Sequence, residues 1–437
     1  MEKLHKHFVV LLICLGAIEA HAQVNDPYLL QYRKEAIEHE QLVKMAENTV
    51  EVGYQNYKAA MANMMPKIGA SADYWYVQNP LAMALPDDPR FGDLAGETLG
   101  QGAQHQYGLY TTLTQPIYKG GQLQERKKRA DIQYKIASEQ LQITSQDVIM
   151  ATDLQYWQSV AQNELVFAMQ NYKNDLSRIA GLVENKVEVG TLDRSDLLMT
   201  EVRVNRADLA VIQAENDLKV YKMSLNRILG RPFEDEITLI DSIELEHFQS
   251  HEMQMSVRPE YKVAEFNVEK RIKDMNIVKS MYRFQLDGIA TASYSAPGYN
   301  MLPGAVPNVQ AGVMLSIPLF HGGRKQHLVA SQQLKVHNEQ LALERTKELL
   351  DLEIAQKRVA WQNSLKENTV AKMSLTKARQ NASVMEERFE EGLIDILEVI
   401  DSQLYLEQAV IEYIQSKLKA QIQWTHYVRS MGNLTAN

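Results

Sequence analysis

Two stretches of this 437-residue chain, 122–189 and 324–391, run without a single proline. At about 1.5 Å per residue, a helix of that length reaches roughly 100 Å. A compact globule built from the same chain would be only about 50 Å across. The pattern inside the first stretch is helical: Leu154, Trp157, Ala161, Leu165, Ala168, Tyr172, Leu176, Ile179 and Val183 recur at steps of three and four. Such a helix must either project from the fold or form part of the wall of a tube.

The two stretches belong to a repeat. Pro116-Ile117-Tyr118-Lys119-Gly120-Gly121 returns 202 residues later as Pro318-Leu319-Phe320-His321-Gly322-Gly323. Gly190 returns as Gly392 at the same spacing, and Arg227, Leu229 and Gly230 return as Arg429, Met431 and Gly432. One register held over more than a hundred residues describes a duplicated unit. After each long helix a glycine can end it in a left-handed conformation. The chain then runs back through 193–229 and 395–431. In the first return helix Val204, Ala207, Val211, Ala214, Leu218, Tyr221, Leu225 and Ile228 form a heptad seam. The matching line in the second is Leu406, Ala409, Tyr413, Ser416, Ala420, Gln423, Tyr427 and Ser430, smaller and wetter, so a looser seam is expected.

Gly230-Arg231-Pro232 stops the first return helix, and an irregular acidic linker, 233–257, follows. A helix opens at Arg258-Pro259-Glu260 and is expected to reach about Phe284; its counterpart is an N-terminal helix at about 28–64. The division is therefore a first repeat, 23–232, the linker, and a second repeat, 258–437. Each repeat carries a helix, a β-hairpin (about 66–118 and about 285–320), a long helix and a return helix.

The hairpins are the only segments that alternate. Ile68, Ala70, Ala72, Tyr74 and Tyr76 share one face of a first strand. Tyr107, Leu109, Thr111 and Leu113 mark a second, and Leu286, Ala290, Ala292 and Tyr294 a third. Val309, Ala311, Val313, Leu315 and Ile317 mark a fourth. Each spans about ten residues, enough for a tilted strand to cross a bilayer. The connections 79–104 and 297–307 hold six prolines between them and read as loops, the first unusually long. Four strands cannot close a membrane barrel, whose smallest examples have about eight, so strands in lipid require several chains. The fold class is mainly α with a β membrane part, a strand–helix unit used twice.

The N-terminus indicates export. Lys3 and Lys6 precede an apolar run, Phe8 to Ile18, and Ala20-His21-Ala22 offers a cleavage site, so 1–22 reads as a signal peptide. The one cysteine, Cys14, lies inside it and is a spectator, which leaves the mature chain without disulfides or a thiol site. The net charge of −9 argues against nucleic acid as partner. No other run is apolar and long enough for a transmembrane helix.

These residues resemble the TolC family of outer-membrane efflux proteins. The resemblance rests on the Pro-x-x-x-Gly-Gly turns, Arg258-Pro259-Glu260, the glycines 190 and 392, and the order of helices and hairpins over the whole mature chain. It implies a homotrimer sharing a 12-stranded barrel in outer-membrane lipid, over a helical tunnel in the periplasm. The implied function is a passive outer-membrane duct of a tripartite efflux or secretion system. It would dock to a periplasmic adaptor (membrane fusion) protein and, through it, to an inner-membrane pump. The tip turns Gly190-Thr191-Leu192 and Gly392-Leu393-Ile394 would close the tunnel and meet the adaptor. Pro116, Gly120, Gly121, Pro318, Gly322 and Gly323 would turn the barrel strands into helices. Acids placed as in the family are Glu398 and Asp401 in the second copy and Asp196 in the first, implying an acidic ring at the entrance. Met199 takes the fourth position, and Ile394 stands where relatives carry an arginine. The same acids can equally serve as helix starts, as can Asp193 and Asp395.

Two other readings differ in class. His247 and His251, beside Glu244, Glu246 and Glu252, have a spacing that could bind metal, but they form no His-Glu-x-x-His motif. No nucleophile motif or phosphate loop appears, so neither an enzyme nor a cofactor is expected. A soluble periplasmic coiled-coil protein without a barrel is the second.

Overall fold

The computed structural model describes residues 26–245, 258–299 and 304–435. The signal segment 1–22 and residues 246–257 of the linker lie outside these. The described chain forms two compact units. Long helices α3 (Gln122–Glu188) and α6 (Arg324–Glu390) contribute to both, and each runs 67 residues without a break.

The first unit comprises 26–48, 138–263 and 344–435 as far as they are described. It holds α1 (Pro27–His39), most of α3 and α6, and the return helices α4 (Arg194–Leu229) and α7 (Ile396–Ser430). Asp26 caps α1, accepting from the N–H of Tyr28 at 2.9 Å, with Pro27 at the first helical position. The expected stripe on α3 is inside: Trp157, Ala161, Leu176, Ile179 and Val183 are buried. So are Tyr156, Val160, Val166 and Met169 on an adjoining face, so the helix is covered on two sides. The α4 seam is likewise inward at Ala207, Val211, Ala214, Leu225 and Ile228.

On α7 the copied register shares the interior with a neighbouring line. Ile414, Lys417, Gln421, Trp424 and Val428 lie inside, a heptad line one position over, and the expected line supplies Ala409, Ala420, Tyr427 and Ser430. An aromatic cluster sets this arrangement: Trp361 of α6 lies 4.8 Å from Trp424 and 5.5 Å from Tyr427, ring centre to ring centre.

The N-terminal helix expected at 28–64 is two helices. Glu40 is extended, at φ −63° and ψ 126°, and α2 (Gln41–Ala62) begins after it. The break sits where the end of α4 packs: a Cβ on Gly230 would lie 3.0 Å from that of His39. Arg231 grips Glu35 with two 2.6 Å hydrogen bonds. Deeper in, Arg33 and Asp153 form an ion pair at 2.6 Å with both side chains almost wholly buried.

The second unit, 49–137 and 264–343, holds the strands. β1 (Lys67–Tyr76), β4 (His105–Lys119), β5 (Gln285–Ala296) and β6 (Val306–Ser316) form one antiparallel sheet in that order. Ile68 lies opposite Leu113, Leu113 opposite Ala290, and Ala290 opposite Ala311. The four alternating apolar sets thus share one face, as period-two residues in register must. The long connection 79–104 is more than a loop. β2 (Ala82–Ala84) pairs with β3 (Thr98–Gln101), and a 3₁₀ turn, Pro89–Leu94, lies between them. Helix α5 (Pro259–Ser280) ends four residues short of the expected limit, as the chain turns into β5. No described helix is long and apolar enough to cross a membrane.

Candidate functional site

The first candidate is the pair of helical tips. Gly190 and Gly392 end α3 and α6 at φ 80° and 75°. At the first tip, Gly190 N–H donates to Val187 O at 3.0 Å and Thr191 N–H to Lys186 O at 2.8 Å. The second repeats this, with Gly392 to Phe389 at 3.0 Å and Leu393 to Arg388 at 2.9 Å. This is the Schellman closure, and it needs a left-handed residue. Nothing lies within 4 Å of a Cβ at either glycine, so the requirement is conformational, not steric.

Beneath the tips lies an apolar core of Leu176, Ile179, Val183, Phe389, Ile396, Val399 and Ile400. Leu192 and Ile394 pack against it, whereas Leu393 is 68% exposed. Ile394 therefore fills the core at a position where an arginine could not be accommodated without a partner. Lys186 Nζ donates to the carbonyls of Phe389 at 2.9 Å and Glu390 at 3.3 Å, tying α3 to the last turn of α6. A cation there also suits the negative end of the helix. Arg178 of α3 pairs with Glu386 of α6. Burial pushes the Asp175 carboxyl up despite neighbouring Arg178, and Glu386 adds to the effect.

The acids divide into two situations. Asp196 accepts from the N–H of Asp193 at 3.3 Å and so belongs to the start of α4. Asp395 is the N-cap residue of α7. Glu398 and Asp401 are exposed, one turn apart on α7, and Tyr405 continues that face. Higher on the same helices, Tyr172, Asp175, Lys372, Arg379, Glu407 and Tyr413 line an open cleft of about 450 Å³. Burial raises the Tyr172 phenol well above its ordinary range, and the carboxylate of Glu407, its hydrogen-bond partner, raises it further.

The second candidate is the pair of strand-to-helix turns. Gly120 and Gly121 take φ 65° and 87°, and Gly322 and Gly323 take 55° and 79°. They follow β4, which runs through Pro116 to Lys119, and β6, which ends at Ser316 just before Pro318, and each pair launches a 67-residue helix.

The sequence profile described as outer membrane efflux protein matches residues 32–231 and 255–433. The chain belongs to that family. It is a subunit of an outer-membrane efflux channel, with long periplasmic helices. No curated protein matches it by sequence. Solved structures share the fold at low identity. The CusC transmembrane channel is 12% identical with a TM-score of 0.78, covering 96% of this chain and 95% of CusC. The outer-membrane channel OprN is 14% identical with a TM-score of 0.78, covering 94% and 91%. The MtrE channel of Neisseria gonorrhoeae, in its open state, is 12% identical with a TM-score of 0.73, covering 97% and 95%.

For this efflux protein, the sequence marks the glycines that turn at the tips and after the strands, but not Lys186, Arg178, Glu386 or the Tyr172–Glu407 contact. Each of these joins helices about two hundred residues apart, and no local spacing signals such a pair. His247 and His251 lie outside the described residues. Among the described residues no group of three His, Cys, Asp or Glu could hold a metal ion.

Proposed function

We propose that three copies of this chain close one 12-stranded barrel, and that the protein is a passive duct with no catalytic role of its own. The observation that carries the reading is the sheet: β1 and β6 are its two edges, with no strand beyond them among the described residues. Their side chains are exposed, among them Tyr74 at 64%, Val309 at 77% and Val313 at 70%. An open apolar sheet is tolerated neither in water nor in lipid, where each unpaired backbone group costs several kcal/mol. Four strands taken three times give twelve, above the smallest membrane barrels of about eight, and a ring leaves no edge.

The long helices then form the periplasmic part, with repeats 23–232 and 258–437 alternating around the ring and 233–257 between them. Gly190-Thr191-Leu192 and Gly392-Leu393-Ile394 face the periplasmic adaptor, which links the duct to an inner-membrane pump. Glu398, Asp401 and Asp196 line the entrance; the exposure of the first two supports this, and the cap role of Asp196 makes it the weaker member. Native mass measurement in detergent tests the assembly. A trimer is expected, and a stable monomer in plain buffer would overturn the reading.

A further inference from the structure

The turn between β4 and α3 is packed, and the matching turn between β6 and α6 is bare. Tyr118 lies 4.6 Å from Phe284, ring centre to ring centre. A Cβ on Gly120 would lie 2.4 Å from the carbonyl oxygen of Ser280 and 2.9 Å from the Cβ of Arg283. Arg283 donates to the Gly120 carbonyl at 3.4 Å, and Lys119 pairs with Asp287 at 2.6 Å. In the second turn, Leu319 is 91% and Phe320 86% exposed, and a Cβ on Gly322 would meet nothing within 4 Å. His321 meets Tyr282 edge-on at 5.3 Å. The two turns have the same glycine geometry, so the difference lies in what covers them.

The first turn is covered by the junction of α5 and β5, and the chain contains a second junction of the same build. Helices α2 and α5 are both 22 residues long. Pro259 lies 218 residues after Gln41, and Gln285 lies 218 after Lys67, so both strands start at the same distance from their helices. Ala62 thus stands where Ser280 does, Pro66 where Phe284 does, and Ile68 where Leu286 does. This junction is bare too: Met65 is 54% and Ile68 71% exposed. The bare turn and the bare junction sit at opposite edges of one sheet, so only a second copy can bring them together.

Resting on the ring reading above, we infer that β6 and its turn seat on β1 and the α2–β1 junction of the next copy, in the register that β4 and β5 already use. Thr111 opposite Ala292 becomes Val313 opposite Tyr74, and Leu113 opposite Ala290 becomes Leu315 opposite Ala72. Gly312 then faces Trp75, a small residue against a large one. Beyond the bulge at Pro116/Tyr118, Tyr118 opposite Leu286 becomes Phe320 opposite Ile68, and Phe320 covers Pro66 as Tyr118 covers Phe284. The seam between copies differs in chemistry from the seam within one. Where Lys119, Asp287 and Arg283 stand inside the chain, His321, Gly69 and Met65 stand between chains. The ion pair and the arginine clamp are replaced by an apolar contact of Phe320, Met65 and Pro66.

Cysteine pairs test the register, since the chain's one cysteine is Cys14. Val313→Cys with Tyr74→Cys, and Gly312→Cys with Trp75→Cys, cover both hydrogen-bonding classes of an antiparallel ladder. On mild oxidation of outer membranes both pairs should give covalent dimers and trimers on denaturing gels. Val313→Cys with Ala72→Cys or Tyr76→Cys should give none, because two residues of slip move the Cα atoms beyond disulfide reach. Each single-cysteine variant is first shown to be a trimer by native mass. Cross-links only at the slipped pairs, or at no pair, in an intact trimer would overturn this register while leaving the ring reading in place. Absence of any trimer in the parent protein would instead overturn the ring reading, and this proposal with it.

Discussion

Gly392 illustrates how little of a residue's role here is contact. Its φ of 75° closes the Schellman turn, and open space surrounds the position a side chain would take. A left-handed backbone costs an L-residue about 1–2 kcal/mol, and a β-branched one more. Gly392→Val is therefore expected to distort the tip and lower pump-dependent resistance, while the trimer still assembles in the outer membrane. Resistance and native mass read the two parts separately, and unchanged resistance would show that the tip docks nothing. Gly120 is the contrasting case, with φ 65° and a carbonyl oxygen in the way of any Cβ. Both glycines stand out in the sequence through the repeat, but the repeat could not tell the crowded glycine from the free one.

At the scale of elements, the far end of α7 is held by charges from other segments. Arg258 donates to the Ser430 carbonyl at 3.0 Å and to Glu353 of α6 at 2.7 Å, and it also pairs with Glu260 at 2.9 Å. His426 sits in this neighbourhood, half-buried. Burial lowers its pKa, and Lys357 and Arg429 lower it further against the opposing pull of Glu353. A depressed pKa means the folded protein disfavours the proton. The stability from neutral His426 is complete above the ordinary histidine value, about 6.5, and is lost as pH falls through the lower folded value. Melting of the detergent-solubilised protein should thus fall between pH 7 and 5 less steeply in His426→Asn than in the parent. Equal slopes would mean that His426 does not contribute. This environment was not legible beforehand, whereas the elements around it largely were. Proline-free length and 3-4 spacing located α3 to within a residue of its end. The break at Glu40 carries neither proline nor glycine and reflects packing at Gly230 and Arg231. The second buried line on α7 includes Trp424, whose meeting with Trp361 no single helix announces.

For the whole molecule, the exposed acids of α7 stand at the proposed entrance. In the proposed trimer, threefold symmetry would place Glu398 and Asp401 three times each at nearly one height, and rings of carboxylates favour cations. Glu398→Ala with Asp401→Ala should reduce cation selectivity and block by multivalent cations in planar-bilayer recordings. Stability should barely move, because exposed charges contribute little to folding. If these acids only start α7, a small loss of thermal stability and unchanged selectivity are expected instead. The family resemblance pointed to these two positions, and their exposure on one face of α7 is compatible with the role.

The open edges of the sheet also have a genetic reading. A chain with β1 and β6 unpaired cannot reside in the bilayer alone, so in the proposed ring every functional pore draws on three copies of the chain at once. An allele that folds its helices but spoils one edge would still enter rings and leave them unsealed. With equal expression of both alleles, about one ring in eight would contain only intact chains. Damage to an edge strand should therefore be dominant, whereas loss of the whole protein should be recessive.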